Sequence, residues 1–155
     1  MILAAVVLSA ALIVGVFVFE LSNMSNVENA SYGSGPVDIE VTSDKPVYLQ
    51  GEQVNFTIYV NNPQNWSVPE PDGVTYEMNR TGTFVSGSTR LIDFGGPHFL
   101  FPAHSRTLYE ARVWDGKVGS AENRTFAPPG TYTYTVSFGG LVDYGSGGNC
   151  TFEIR

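Results

Sequence analysis

The sequence predicts a mainly β protein: a long apolar N-terminal α-helix followed by an immunoglobulin-like antiparallel β-sandwich. Three observations lead there. Met1 to Phe19 are nineteen apolar or small residues before the first charge, Glu20. SYGSGP, residues 31–36, then interrupts with two glycines and a proline. From Val37 onward the apolar residues alternate with polar ones, the period of a half-buried strand. The expected organisation is an apolar helix over 1–31, a linker over 32–36 and a β-sandwich domain over 37–155.

The opening segment is rich in Ala and Leu and has no proline before Pro36. As a helix, thirty residues make a rod of roughly 45 Å, longer than the bilayer core of about 30 Å. A signal peptide carries a positive n-region and a shorter apolar run, whereas here the first Lys or Arg is Lys45. The expectation is that a basic leader has been removed ahead of Met1. Small residues recur four apart at Ala5/Ser9 and Ala11/Gly15. That spacing lets helix backbones approach in apolar surroundings, so these four are the candidate helix-packing positions.

The remaining elements follow in order. Val37–Val41 and Val54–Val60 read as strands, and NNPQNWSVPEPDG, 61–73, as a loop with three prolines. Val74–Met78, Thr81–Val85, Leu91–Phe94 and Phe99–Phe101 are shorter strands. Thr107–Trp114 closes at Asp115-Gly116, a further strand runs to Phe138 after Pro128-Pro129-Gly130, and Asn149–Ile154 is the last. Short strands separated by turn signals, with no second helix, give the sandwich. Its core candidates are Val54, Phe56, Ile58, Val60, Leu108, Val113, Trp114, Tyr132, Tyr134, Val136 and Phe152, some of which can fall on the outer face.

Composition narrows the function. The net charge is −7, and no basic stripe is present to neutralise phosphates, which excludes nucleic acid as a partner. The single cysteine, Cys150, forbids an intrachain disulfide and reads as a small core hydrophobe. Asn-x-Ser/Thr, the N-glycan acceptor, occurs at Asn23, Asn29, Asn55, Asn65, Asn79, Asn123 and Asn149, seven of the ten asparagines. With Ser and Thr together about one residue in six, chance gives about one or two. The density points to an extracytoplasmic chain carrying N-linked glycans.

No catalytic set is visible. His98 and His104 lack an acidic or Cys partner at metal-ligand spacing. Ser105 beside His104 has no Gly-x-Ser-x-Gly elbow. Glu70 and Asp72, in the proline-rich loop, are expected to be solvated. The expectation is a non-enzyme without cofactor or metal.

An apolar opening without a basic flank, a short linker, a β-domain and dense sequons together resemble a processed archaeal type IV pilin or archaellin. Ala5 stands where bacterial type IV pilins carry Glu, which is similar to the archaeal members. The resemblance implies a homopolymer assembled through the N-terminal helix, membrane-inserted before assembly and extracellular afterwards. A membrane-anchored archaellum accessory protein that binds the surface layer has the same outline. Separately, GEQVNFTIYVNNP, ARVWDGKV and APPGTYTYTV are similar to the Bacillus intracellular proteinase inhibitor family, an immunoglobulin-like sandwich, which implies a protease-inhibitor-like binding domain as a further alternative.

Overall fold

A computed structural model describes residues 29–32, 35–91, 99–139 and 145–155, the first of these stretches through its backbone. Among the described residues thirteen strands follow one another: β1 (Asn29–Tyr32), β2 (Asp38–Ser43), β3 (Val47–Tyr48), β4 (Val54–Asn62), β5 (Val68–Pro69), β6 (Gly73–Arg80), β7 (Thr83–Leu91), β8 (Leu100–Phe101), β9 (Ser105–Trp114), β10 (Lys117–Val118), β11 (Thr125–Phe126), β12 (Gly130–Gly139) and β13 (Ser146–Ile154). They form one large sheet in the order β1-β13-β12-β6-β7, with β3 also paired to β13, and a second in the order β2-β4-β9. Two short ribbons, β10-β11 and β5-β8, complete the set.

Described residues are all-β, which corrects the expected helix-plus-sandwich class. No helix occurs among them, and so none is long and apolar enough to cross a membrane. The expected helix over 1–31 fails at its C-terminal end, where Asn29–Tyr32 is a strand antiparallel to β13, Asn29 opposite Cys150 and Tyr32 opposite Gly147. The physical reason is an available sheet edge. The upper half of β13 offers unpaired backbone groups, and pairing them outweighs the weak local preference of Asn-Ala-Ser-Tyr. Tyr32, expected in the linker, belongs to the same strand. Residues 1–28 lie outside the described set, and with them Ala5, Ser9, Ala11 and Gly15.

The two sheets share one core. The large sheet contributes Val74, Tyr76, Met78, Tyr132, Tyr134, Val136, Phe138, Cys150, Phe152 and Ile154; the small one contributes Ile39, Val41, Val54, Phe56, Ile58 and Val60. Aromatic rings join them: Phe56 stacks on Tyr134 with centroids 4.0 Å apart and contacts Phe152 at 5.7 Å. β4 alternates buried and accessible residues along its length because successive side chains point to opposite faces of the sheet, and only the face carrying Val54, Phe56, Ile58 and Val60 packs on the core. At the turn after β9, Gly116 has φ +68°, and a Cβ there would sit 2.6 Å from the Glu52 carbonyl oxygen, so the Asp115-Gly116 pair closes the strand.

Two expected core residues are on the outside. Leu108 and Val113 are 56% and 63% exposed. Glu110, Arg112 and Trp114 pair with the buried Ile58, Phe56 and Val54 and therefore take the inner face of β9. Cys150 is fully buried, and burial pushes its thiol up to about 12. The thiolate is the reactive form. Native protein is therefore expected to resist iodoacetamide at pH 8 and to alkylate once only after urea is added, as read by intact mass; rapid native alkylation would mean that β13 leaves the sheet readily.

Candidate functional site

The sequon asparagines lie at the surface wherever their side chains are described. Asn55, Asn65 and Asn123 are exposed, and Asn79 and Asn149 are half-exposed. Asn62, which is followed by Pro63-Gln64 and so lies outside any sequon, is buried instead. Asn79 and Asn149 share the outer face of the large sheet. In register, Asn149 sits beside Thr135 and Glu77, and Asn79 beside Thr133 and Thr151. The hydroxyls of Thr133 and Thr151 lie 3.4 Å apart, and those of Thr75 and Thr89 3.2 Å apart, so this face is a hydroxyl-rich surface. Asn55 Nδ2 donates to Asp44 Oδ2 at 2.9 Å. A glycosidic bond consumes one of the two amide hydrogens, leaving the other for that contact. Asn29 is known here through its backbone pairing with Cys150, and Asn23 lies outside the described residues.

A second feature was not anticipated from the sequence. β7 and β9 are each the last strand at one end of their sheets, and residues of both line a cleft. A bulge on β9 pairs Ile58 with Glu110 but Tyr59 with Leu108, so Tyr109 is the extra residue. A bulge turns consecutive side chains towards one side, and Tyr109 and Glu110 both reach inward. Tyr76 Oη donates to Glu110 Oε2 at 2.5 Å, Arg112 Nη1 donates to Glu110 Oε1 at 3.5 Å, and the guanidinium carbon lies 3.8 Å from the Tyr76 ring centroid. Above them Arg90 Nη2 donates to Tyr109 Oη at 2.6 Å, and Tyr109 Oη donates to Glu70 Oε1 at 2.7 Å.

Burial and the Glu110 carboxylate push the Tyr76 phenol up to about 12. Burial and Glu70 push Tyr109 up as well. Glu70 is therefore not solvated as expected: its side chain is 14% exposed. The sequence carried one signal for this network. In TLYEARVW, Glu110 and Arg112 fall in the same two-residue phase as Trp114, which places charge on the inner side of a strand.

Between the edges lies a cleft of about 170 Å³ whose lining includes Phe56, Tyr76, Met78, Arg112 and Tyr134. Tyr134 is 6% exposed, and its hydroxyl is buried without a hydrogen-bond partner. The residues weighed for catalysis do not converge here. His104 is exposed in a turn at φ +50° with its N–H on the Gln64 carbonyl, and Ser105 Oγ donates to the Pro102 carbonyl at 2.6 Å. His98 lies outside the described residues. Among the described residues no cluster of three or more His, Cys, Asp or Glu is placed to hold a metal.

No protein-family model and no curated protein matches the chain. Solved structures do resemble it. The alkylpurine DNA glycosylase AlkC of Pseudomonas fluorescens aligns at 17% identity and TM-score 0.50, over 79% of this chain and 31% of the glycosylase. A Paenibacillus cycloisomaltooligosaccharide glucanotransferase aligns at 18% identity and TM-score 0.48, over 79% of this chain and 14% of the enzyme. The CARDB domain of a Pyrococcus furiosus protein aligns at 10% identity and TM-score 0.45, over 79% of this chain and 96% of that domain. The chain thus spans less than a third of either enzyme, and at these identities the likeness is one of β-sandwich fold alone.

Proposed function

We propose that the chain is a structural subunit of an extracellular, cell-surface filament of the archaeal type IV pilus kind, with apolar N-terminal segments buried together inside and N-glycosylated β-domains outside. The observation that carries this reading is the sequon pattern: five acceptors reach the surface, while the buried Asn62 is outside any sequon. The apolar segment opposes the release of subunits once the polymer has left the membrane. Burying each Val, Leu, Ile or Phe is worth about 1.5–3 kcal/mol relative to water, and more than ten such residues precede Glu20. A subunit drawn from membrane into a polymer keeps them buried, and one released into water does not. Outside, glycans and hydroxyl-bearing strands keep sheet edges from pairing with other chains.

A second reading, a membrane-anchored module that grips the surface layer, draws on the strands at the ends of the two sheets. There β7 exposes Phe84 and Leu91, and β9 exposes Leu108 and Val113. One experiment separates the two. Material sheared from the surface of the native host is expected to contain long polymers of this chain by electron microscopy, with a subunit mass well above the bare 16.8 kDa. Asn65→Gln and Asn123→Gln are each expected to remove one glycan mass. Single copies retained in the membrane would favour the anchored module, and a bare mass in native material would remove the support for both.

A further inference from the structure

We infer that the surface sequons divide by when they can be modified: Asn55 and Asn149 accept a glycan only before the sandwich folds, whereas Asn65 and Asn123 accept one on the folded domain. This rests on the glycan-acceptor reading above and adds an order of events to it. In the transfer, the Asn amide nitrogen bonds to the anomeric carbon of a lipid-linked oligosaccharide. The bond from that carbon to the lipid phosphate breaks, its electron pair leaves with the phosphate oxygen, and the nitrogen gives one proton to a base of the transferase. Because the motif is read as Asn-x-Ser/Thr, the transferase must hold all three residues in its own site.

The first observation is the middle residue of each sequon. Along a strand successive side chains point to opposite faces, so a strand sequon whose Asn faces outward sends its middle residue into the core. In Asn55-Phe56-Thr57 that residue is Phe56, 2% exposed and stacked on Tyr134. In Asn149-Cys150-Thr151 it is Cys150, fully buried. In Asn65-Trp66-Ser67 it is Trp66, which is exposed, and Asn123, Arg124 and Thr125 are all exposed. Asn79 stands between the two classes, with Arg80 half-buried.

The second observation is the backbone. An extended segment is gripped through its main-chain groups, and those of the strand sequons are already engaged. Asn149 is in register with Thr135 of β12 on one side and Ala30 of β1 on the other. Asn55 lies opposite Val113 of β9, its carbonyl accepts from the Asp44 N–H at 3.0 Å, and its own N–H donates to Asp44 Oδ1 at 3.1 Å. Its Nδ2, the atom that would react, is the one held by Asp44 Oδ2. Asn65, by contrast, lies in the loop between β4 and β5, and Asn123 in the turn between β10 and β11. Freeing Asn55 or Asn149 requires a strand to leave both neighbours and to draw its middle side chain out of the core, an opening close to global unfolding.

The test uses the full-length chain made in a host without N-glycosylation and folded in detergent, with the resistance of Cys150 to iodoacetamide as the check on folding. It is incubated with lipid-linked oligosaccharide and transferase-bearing membranes of the native host, beside synthetic peptides that span each sequon. Glycopeptide mass spectrometry reads the rate at each site. Asn65 and Asn123 are expected to be modified in the folded chain within a few-fold of their peptides. An ordinary domain is unfolded to a fraction of about 10⁻³–10⁻⁶, and modification of a closed site follows that fraction, so Asn55 and Asn149 are expected to be slower than their peptides by at least about a hundredfold. Comparable rates in folded chain and peptide at Asn55 or Asn149 overturn the inference, and so do Asn65 and Asn123 as slow as the strand sites. Absence of transfer to the peptides themselves removes the glycan-acceptor reading, and the inference with it.

Discussion

Gly148→Ala is expected to be among the most damaging single substitutions in the domain, although it adds one methyl group. Gly148 lies in β13 between Ser31 of β1 and Val136 of β12, and it is buried. Across the sandwich the backbone of β2 passes directly over it. A Cβ on Gly148 would overlap the Ile39 carbonyl oxygen and stand 2.9 Å from the carbonyl carbon and 3.2 Å from Ile39 Cγ2. A flexible side chain could swing aside, but a backbone carbonyl cannot. β2 is fixed along its length to β4, and the Ser146 hydroxyl ties β13 to the Val37 carbonyl at 2.7 Å beside the same crossing. Relief therefore requires the sheets to part locally. Overpacking typically costs about 1–3 kcal/mol and occasionally more, and a backbone obstacle puts this case at or above the upper end. That is a large share of an ordinary domain stability of about 5–15 kcal/mol. Gly139→Ala is the control, since a Cβ there meets nothing within 4 Å. Urea denaturation read by tryptophan fluorescence compares them. A Gly148→Ala midpoint indistinguishable from that of Gly139→Ala would refute the argument.

That crossing was not legible in the sequence, and the reason is general to this chain. Alternation identifies a strand only where one face is buried by the fold and the phase is unbroken. β4 satisfies both conditions: Val54, Phe56, Ile58 and Val60 are all buried. β9 breaks the phase at the Tyr109 bulge, so two apolar sets compete in the sequence, one through Leu108 and one through Trp114. The inner set carries Glu110 and Arg112, and hydrophobicity alone selects the outer one. β7 extends past Val85, the end expected for this strand. It runs on to Leu91 because β6 pairs it throughout, and a Cβ at Gly87 would come within 2.9 Å of the Tyr76 carbonyl oxygen. β1 has no internal pattern at all, and its conformation comes from the β13 edge. The sequons are different in kind. They are local motifs that need no tertiary information, which is why the surface positions of Asn55, Asn65 and Asn123 could be read directly. The Glu70–Tyr109–Arg90 and Tyr76–Glu110–Arg112 networks join residues distant in the chain and depend on where the bulge falls.

Asn62 should respond to substitution in an order that its polarity alone would not suggest, with Asn62→Asp worse than Asn62→Ala. Asn62 ends β4, is 1% exposed and has its amide group at the meeting point of two loops. Its Nδ2 lies 2.9 Å from each of the carbonyl oxygens of Trp66, Phe101 and Pro102, while its Oδ1 accepts from the Gln64 N–H at 2.9 Å. One side chain thus holds the segment after β4 against β8 and the residues that follow it. Removing the amide with Ala leaves several buried carbonyls without a donor, each worth about 1–3 kcal/mol when unsatisfied, and part of that returns if water enters. Aspartate keeps the shape but replaces the donor with a carboxylate among three carbonyl oxygens, a charge that is both desolvated and repelled. Its folded-state pKa must then lie above the unfolded value of about 3.9. The sign follows: the folded form binds the proton more tightly, so Asn62→Asp gains stability as pH falls through its raised pKa towards about 4. Asn62→Ala has no such group and should show no corresponding recovery relative to the native chain. Urea midpoints at pH 8 and pH 5 provide the comparison. An Asn62→Asp protein at least as stable as Asn62→Ala at pH 8, or one that gains nothing relative to Asn62→Ala on acidification, would show that the amide donor is not what holds these loops together.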